Sequence, residues 1–365
     1  MSELINAIEW EQPIFPIVAD QEWEREVKRV TGSVGDVYRR ITPNLWIRQG
    51  AINLEKYQPT QLTHKLVDII SLVSAQENAC RYCYGAVRAQ MKLLGHSESY
   101  ISKLEREVQM AELNEKERLF VAFCRSLSRS SPRPSAHDRQ ALLDQGFSEK
   151  AVAETVFLIA MNCLVNRVAT FVASAPELGY EKLANSKASY LFRTIGPVLR
   201  PLREKKLRKA AAASIVQQKN WQSSTFGPIL ETLRDLPAAE LLGNFLEGCF
   251  ASPVLPQRTK TLIFAVVART LDCDICQREM GRQLEENGMS SKDVDTCLTT
   301  LDMPDLEPYE TKILDWARNT VHYQPGPIQK RTRLLVQEIG EEKALEAVGV
   351  ASLANSVVRI AMLLT

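Results

Sequence analysis

The chain has 365 residues, with 45 Lys and Arg against 44 Asp and Glu, and 45% of it is hydrophobic. A net charge of +1 gives no electrostatic reason to expect nucleic acid as a partner, and the length suffices for two domains that each bury a core. Met1-Ser2-Glu3-Leu4 lacks the basic-then-apolar opening of a signal peptide, and the most apolar stretches, 155–165 and 348–365, are too short to span a bilayer or carry Arg359. Neither export nor a membrane span is therefore expected. Eight cysteines without an export signal point to a reducing, cytoplasmic setting, where Cys-x-x-Cys means redox chemistry or metal rather than structural disulfides.

The periodicity is helical almost throughout. Apolar residues recur at three- and four-residue steps over 62–76, 86–95, 117–128, 150–172, 262–270, 310–321 and 342–364, and strand-like alternation is scarce. The first apolar run, Ile69-Ile70-Ser71-Leu72-Val73, leads into Cys80-Arg81-Tyr82-Cys83, predicted to open a helix that Gly95 caps at its C-terminus. Pro132 and Pro134 then interrupt the pattern, and Ser148 is a good N-cap for the long helix that follows. That last helix of the first half carries Asn166.

Residues 187–209 hold eight Lys or Arg against the single acid Glu204. The plain reading of 181–222 is a solvated basic linker, and the sharper one is a patch for an acidic partner or a membrane surface. Beyond it the order returns. Leu262-Ile263-Phe264-Ala265-Val266-Val267 leads into Cys273-Asp274-Ile275-Cys276, with Gly288, Pro325, Pro327 and Asn355 at corresponding places. An offset of 193 joins the two cysteine pairs, and also Gly95 to Gly288, Leu113 to Leu306 and Glu117 to Glu310. The predicted fold is all-α: two tandem helical bundles related by internal duplication, residues 1–180 with an N-terminal extension and 223–365, joined by the linker.

Two cysteines spaced this way at a helix start place both sulfurs near exposed amides and the positive end of the helix dipole, which stabilises a thiolate. The spacing also lets them close into a disulfide, the minimum apparatus for thiol–disulfide exchange or hydroperoxide reduction. A Cys₄ zinc site is the competing use, but 189 residues separate the pairs and each opens an amphipathic helix. No metal is therefore assigned. Arg81 and Arg88 favour a thiolate in the first pair, whereas Asp274 and Glu279 beside the second raise its thiol pKa. Cys80 and Cys83 are thus the expected reactive pair, and Cys124, Cys163, Cys249 and Cys297 are expected to pack in the core.

These motifs resemble the alkylhydroperoxidase D-like, or carboxymuconolactone decarboxylase, superfamily. Its pattern is an acid twelve residues before the first cysteine, then CxxC, then a histidine four residues after the second. The run-ins Leu62-Thr63-His64-Lys65-Leu66-Val67-Asp68-Ile69 and Leu255-Pro256-Gln257-Arg258-Thr259-Lys260-Thr261-Leu262 carry the likeness in both halves. The resemblance implies Cys83 as the attacking thiol, Cys80 as the resolving thiol and Asp68 as the acid. The histidine is replaced by Val87 and Met280, and the second acid by Thr261. His64, one helical turn before Asp68, is a candidate proton relay; His96, His137 and His322 receive no role. Asn166-Arg167 resembles a family feature of the last helix and is expected to make a structural hydrogen bond.

The expected function is a thiol-based oxidoreductase acting on hydroperoxides or on a partner's disulfide. Cys80 and Cys83 would cycle, an external dithiol reductant would supply electrons, and no cofactor would be needed. Cys273 and Cys276 are the second-repeat equivalents, expected to be degenerate and structural. The halves are expected to pack as a pseudo-dimer within a homo-oligomer. The alternative is a non-catalytic helical scaffold with decayed sites; decarboxylase-like carbon-acid chemistry would have only His64 and Asp68 as bases.

Overall fold

The computed structural model describes residues 3–106, 112–187, 189, 225–302 and 305–365, and among them every regular element is a helix. An N-terminal group comprises α1 (Glu3–Asn6), α2 (Gln21–Thr31), α3 (Asp36–Arg40) and α4 (Leu45–Lys56). Then come α5 (His64–Glu77), α6 (Arg81–Leu93), α7 (Glu98–Glu105), α8 (Glu115–Arg129), α9 (Ala136–Asp144), α10 (Glu149–Phe171) and α11 (Leu178–Asn185). The remainder is α12 (Gly227–Glu231), α13 (Ala238–Ala251), α14 (Gln257–Thr270), α15 (Asp274–Glu286), α16 (Ser291–Thr300), α17 (Pro308–Asn319), α18 (Pro325–Ile339) and α19 (Glu341–Leu364). Helices α13 to α17 begin 193 residues after α4 to α8, and α19 begins 192 after α10.

Local chemistry sets these boundaries. Ser148 caps α10 by accepting from the Ala151 amide, and Asn114 caps α8 by accepting from Glu117. Gly95 and Gly288 adopt left-handed φ of 95° and 94° after α6 and α15. There the next amide reaches back to Met91 O in one case and Leu284 O in the other, the Schellman arrangement that closes a helix end. Pro325 opens α18 rather than breaking a helix, since the first helical residue needs no amide donor.

Packing repeats with the order. α5 lies against α6, α8 and α10, and α14 lies against α15, α17 and α19. The two sets meet where α10 packs along α19 and α4 packs on α13, and one apolar core runs through both. α10 and α19 are long and apolar enough to cross a membrane, yet most of each is buried within the protein. Helices apolar on all sides are what a double-sided core demands.

The boundary expected at 180 falls inside α11, which packs on α6, so the first unit continues to at least Asn185. Of the basic stretch 187–209, all but Lys187 and Ser189 lies outside the described residues.

Two buried arginines join the halves reciprocally. Arg167 on α10 donates to Thr320 O (3.2 Å) and Val321 O (3.1 Å) beyond α17. Arg359 on α19, 192 residues later, donates to Ser128 O (3.4 Å) on α8. The corresponding residues of the two long helices are therefore these arginines, not Asn166 and Asn355. Asn355 instead accepts from Arg359 and donates to Thr320 Oγ1, and the buried Asn166 Nδ2 has no hydrogen-bond partner among the described residues.

Candidate active site: two dithiols at helix starts

Each cysteine pair sits on the same backbone device. A residue with left-handed φ, Ala79 at 47° or Asp272 at 54°, turns the chain sharply after α5 or α14. The next amide, Cys80 or Cys273, then bonds back to Ala75 O (3.0 Å) or Ala268 O (2.9 Å). That conformation is costly for residues with a side chain and recurs at functional turns. It delivers the first cysteine to the N-cap of α6 and of α15.

The first pair is closed: Cys80 and Cys83 form a disulfide with Cα atoms 5.3 Å apart, and the Cys83 amide donates to Cys80 Sγ at 3.2 Å. Cys80 is fully buried and Cys83 nearly so. The neighbouring cations are already neutralised. Arg81 grips Glu181 of α11 through two contacts, of 2.6 and 3.0 Å. Arg88 is held by Glu105 (2.8 Å) and also by Glu98. The expected support of a thiolate by Arg81 and Arg88 is therefore spent on carboxylates. Tyr82 turns its hydroxyl onto the backbone around Gly35, and burial together with Glu177 and Asp36 pushes its pKa up. Tyr84 donates to Glu105 at 2.8 Å rather than to a sulfur.

Asp68 and His64 do not join this pair. Asp68 meets His96, Nε2 to Oδ2 at 2.9 Å, and His96 stacks on Tyr100. His96 follows the C-terminal end of α6, whose last residue, Leu93, lies about 15 Å along the axis from Cys83 at 1.5 Å per residue. Asp68 is likewise about 14 Å along α5 from the end that turns into Cys80. The acid thus faces the opposite end of the helix pair from the thiols. His64 is the first residue of α5, half-buried, one turn from Asp68.

The second pair is open as two thiols. Cys273 is pulled down to about 7, first by the hydrogen bond from the Cys276 thiol, then by the backbone amides at the helix start and by Arg133. Cys276 is pushed up by that same bond, by burial and by Glu279. The two shifts run in opposite directions because the sulfurs lie beside each other. Arg133 comes from the loop before α9, in the other half, and donates to Asp272 O. This effect opposes the expectation that Asp274 and Glu279 would leave the second pair inert; Asp274 points outward to solvent. Cys276, not Cys273, forms part of the wall of a cavity of about 230 Å³.

The thiolate's ultraviolet absorbance should thus rise with a midpoint near pH 7 in protein whose first pair stays oxidised, because the thiol is protonated below it and ionised above. Arg133→Ala should move that midpoint to higher pH. A midpoint near 9 in the unsubstituted protein would contradict this account.

Cys124 and Cys249 are buried, with thiols pushed up by desolvation, as expected of packing cysteines. Among the described residues, no three His, Cys, Asp or Glu side chains gather where they could hold a metal ion.

All-α bundles with a dithiol at a left-handed turn define the class of this protein. Residues 237–319, from the start of α13 through α17 and including Cys273 and Cys276, match the family model described as the carboxymuconolactone decarboxylase family. That segment is therefore similar to this family, in line with the resemblance of the cysteine motifs to the alkylhydroperoxidase D-like superfamily. No curated protein and no solved structure matches it.

Proposed function

We propose that the protein is a thiol–disulfide oxidoreductase built by duplication of one helical unit, with Cys273 and Cys276 as its working dithiol. The observation that carries this is a pair of neighbouring thiols at a helix start, one of them on a cavity wall, with Arg133 of the other half on the turn before them. The substrate meets Cys276, whose proton passes to Cys273 as the Cys276 sulfur attacks a disulfide sulfur. The other substrate sulfur leaves as thiolate and takes the proton from Cys273. Cys273 then attacks Cys276 Sγ, releasing the second substrate thiolate and leaving a Cys273–Cys276 disulfide. Two electrons have moved to the substrate, and an external dithiol restores the pair.

A hydroperoxide would enter the same cycle through a sulfenic acid on Cys276, releasing an alcohol and then water. With Met280 where the superfamily's histidine would stand, and Asp68 turned away from its own dithiol, disulfide exchange is the better-supported chemistry. Cys80 and Cys83, buried under α11, act in this reading as a structural disulfide that strong reductant opens.

The test mixes an aromatic disulfide with protein whose second pair is reduced. Release of both aromatic arms as thiolate, with the protein lighter by two hydrogens and carrying no adduct, supports exchange. A lasting adduct, or no reaction, points to the scaffold alternative.

A further inference from the structure

The cavity beside Cys276 has an apolar floor and a charged rim. Phe226, Ile229, Phe264, Ile275, Met280 and Val357 line the interior, while Arg278 stands among the rim residues. Two other charged residues of the rim satisfy each other: Glu279 pairs with Arg282 at 2.6 Å, and Arg282 also reaches Glu286. Arg278 is exposed and, among the described residues, no carboxylate pairs with it.

The first half indicates what such a place accepts. There α11 lies on α6, and the Glu181 carboxylate sits on Arg81, pressed so closely on Gly85 that an added Cβ would collide with it. At the corresponding positions of α15 stand Asp274 and Arg278. The cation has moved one turn along the helix, onto the site of the glycine. Among the described residues no helix covers α15 as α11 covers α6. Where the first half supplies its own carboxylate beside the dithiol helix, the described residues of the second leave the Arg278 guanidinium without a carboxylate beside an apolar hollow.

We infer that this cavity binds a small amphiphilic carboxylate, with its hydrocarbon part among Phe264, Met280 and Val357 and its carboxylate on Arg278, alongside Cys276. The volume is below that of a drug-sized site and suits a single short chain. A guanidinium recognises a carboxylate through paired N–H donors, and an apolar floor supplies the remaining affinity. This deepens the proposed function by naming the kind of molecule the dithiol would meet, yet the binding step uses neither thiol's chemistry.

Calorimetric titration of the 365-residue protein with octanoate, with octanol and acetate as companions, tests it. The expected result is saturable octanoate binding that weakens about tenfold in Arg278→Gln. Octanol should bind equally to both proteins, and acetate to neither. Met280→Trp, which fills the hollow and leaves Arg278 in place, should abolish octanoate binding while circular dichroism stays unchanged. Absence of saturable octanoate binding, or binding indifferent to Arg278→Gln, overturns the inference. Because the readout is heat of binding, its failure is distinct from a failure of disulfide exchange, which the release of aromatic thiolate reports separately.

Discussion

Replacing Arg167 with alanine is expected to cost the protein about 3–5 kcal/mol. The side chain is 1% exposed and spends its donors on four acceptors. These are Thr320 O and Val321 O in one half, and Asn78 Oδ1 (2.7 Å) and Cys163 O (3.3 Å) in the other. Its guanidinium also lies 5.4 Å from the Tyr323 ring centroid. Alanine would leave the carbonyls beyond α17 and the Asn78 amide oxygen dry and unpartnered, and would open a void between α10 and the segment that follows α17. Buried acceptors stripped of donors carry most of that cost, and the void adds the rest. Lysine would recover little, since one ammonium cannot span acceptors that a planar fork reaches. Urea unfolding checks the magnitude; a loss under 1 kcal/mol would mean that water replaces the guanidinium and that the halves are joined by apolar packing alone.

The two cysteines of the second pair should respond differently to substitution. Cys276→Ser is expected to slow aromatic disulfide reduction at least about 100-fold, since it removes the sulfur on the cavity wall and leaves a hydroxyl that cannot form a disulfide. Cys273→Ser should still react through Cys276 at a reduced rate and then stop as a stable mixed disulfide, because no neighbouring thiol remains to displace it. Cys83→Ser should leave the rate of the second pair within about twofold, its site being on another helix with a separate charge environment. Stopped-flow absorbance and intact mass distinguish these cases. Equal loss in Cys83→Ser and Cys276→Ser would mean that electrons pass between the two pairs and that neither works alone.

Much of the fold follows from local signals. The helical periods, the glycines at 95 and 288, the Ser148 cap and the CxxC at two helix starts are each written within a few residues of one another. The placement of the two dithiols was legible for the same reason. What decides their chemistry is not local. Arg81 reads as a thiolate partner until Glu181, 100 residues away, is brought against it. Arg133 gives no sign in the sequence that it will stand beside Asp272, 139 residues later. Asp68 has His64 one turn earlier on its helix, but the chain reversal at Gly95 carries His96 to it across the α5–α6 pair. Proximity along the chain pointed to His64, whereas His96 also meets Asp68, and charge counted along one helix left out Arg133. The Ala79 and Asp272 turns could have been suspected from the short gap between helix and cysteine, which leaves no room for a longer loop.

Reciprocal bracing also ties the two dithiol turns together. Tyr323, beyond α17, donates to Asn78 O at the first turn (2.9 Å), and Arg133, beyond α8, donates to Asp272 O at the second. In an assembly of identical subunits every substitution appears at all equivalent sites, so a change that suits one site is imposed on the rest. A single chain escapes that constraint. One turn can be covered by a helix of its own half, as α11 covers α6, while its counterpart borders a cavity instead. The first half still contributes to the second turn, because the loop between α8 and α9 holds the guanidinium that meets Asp272 O. Division of labour of this kind needs both halves present at a fixed ratio, which one continuous polypeptide guarantees.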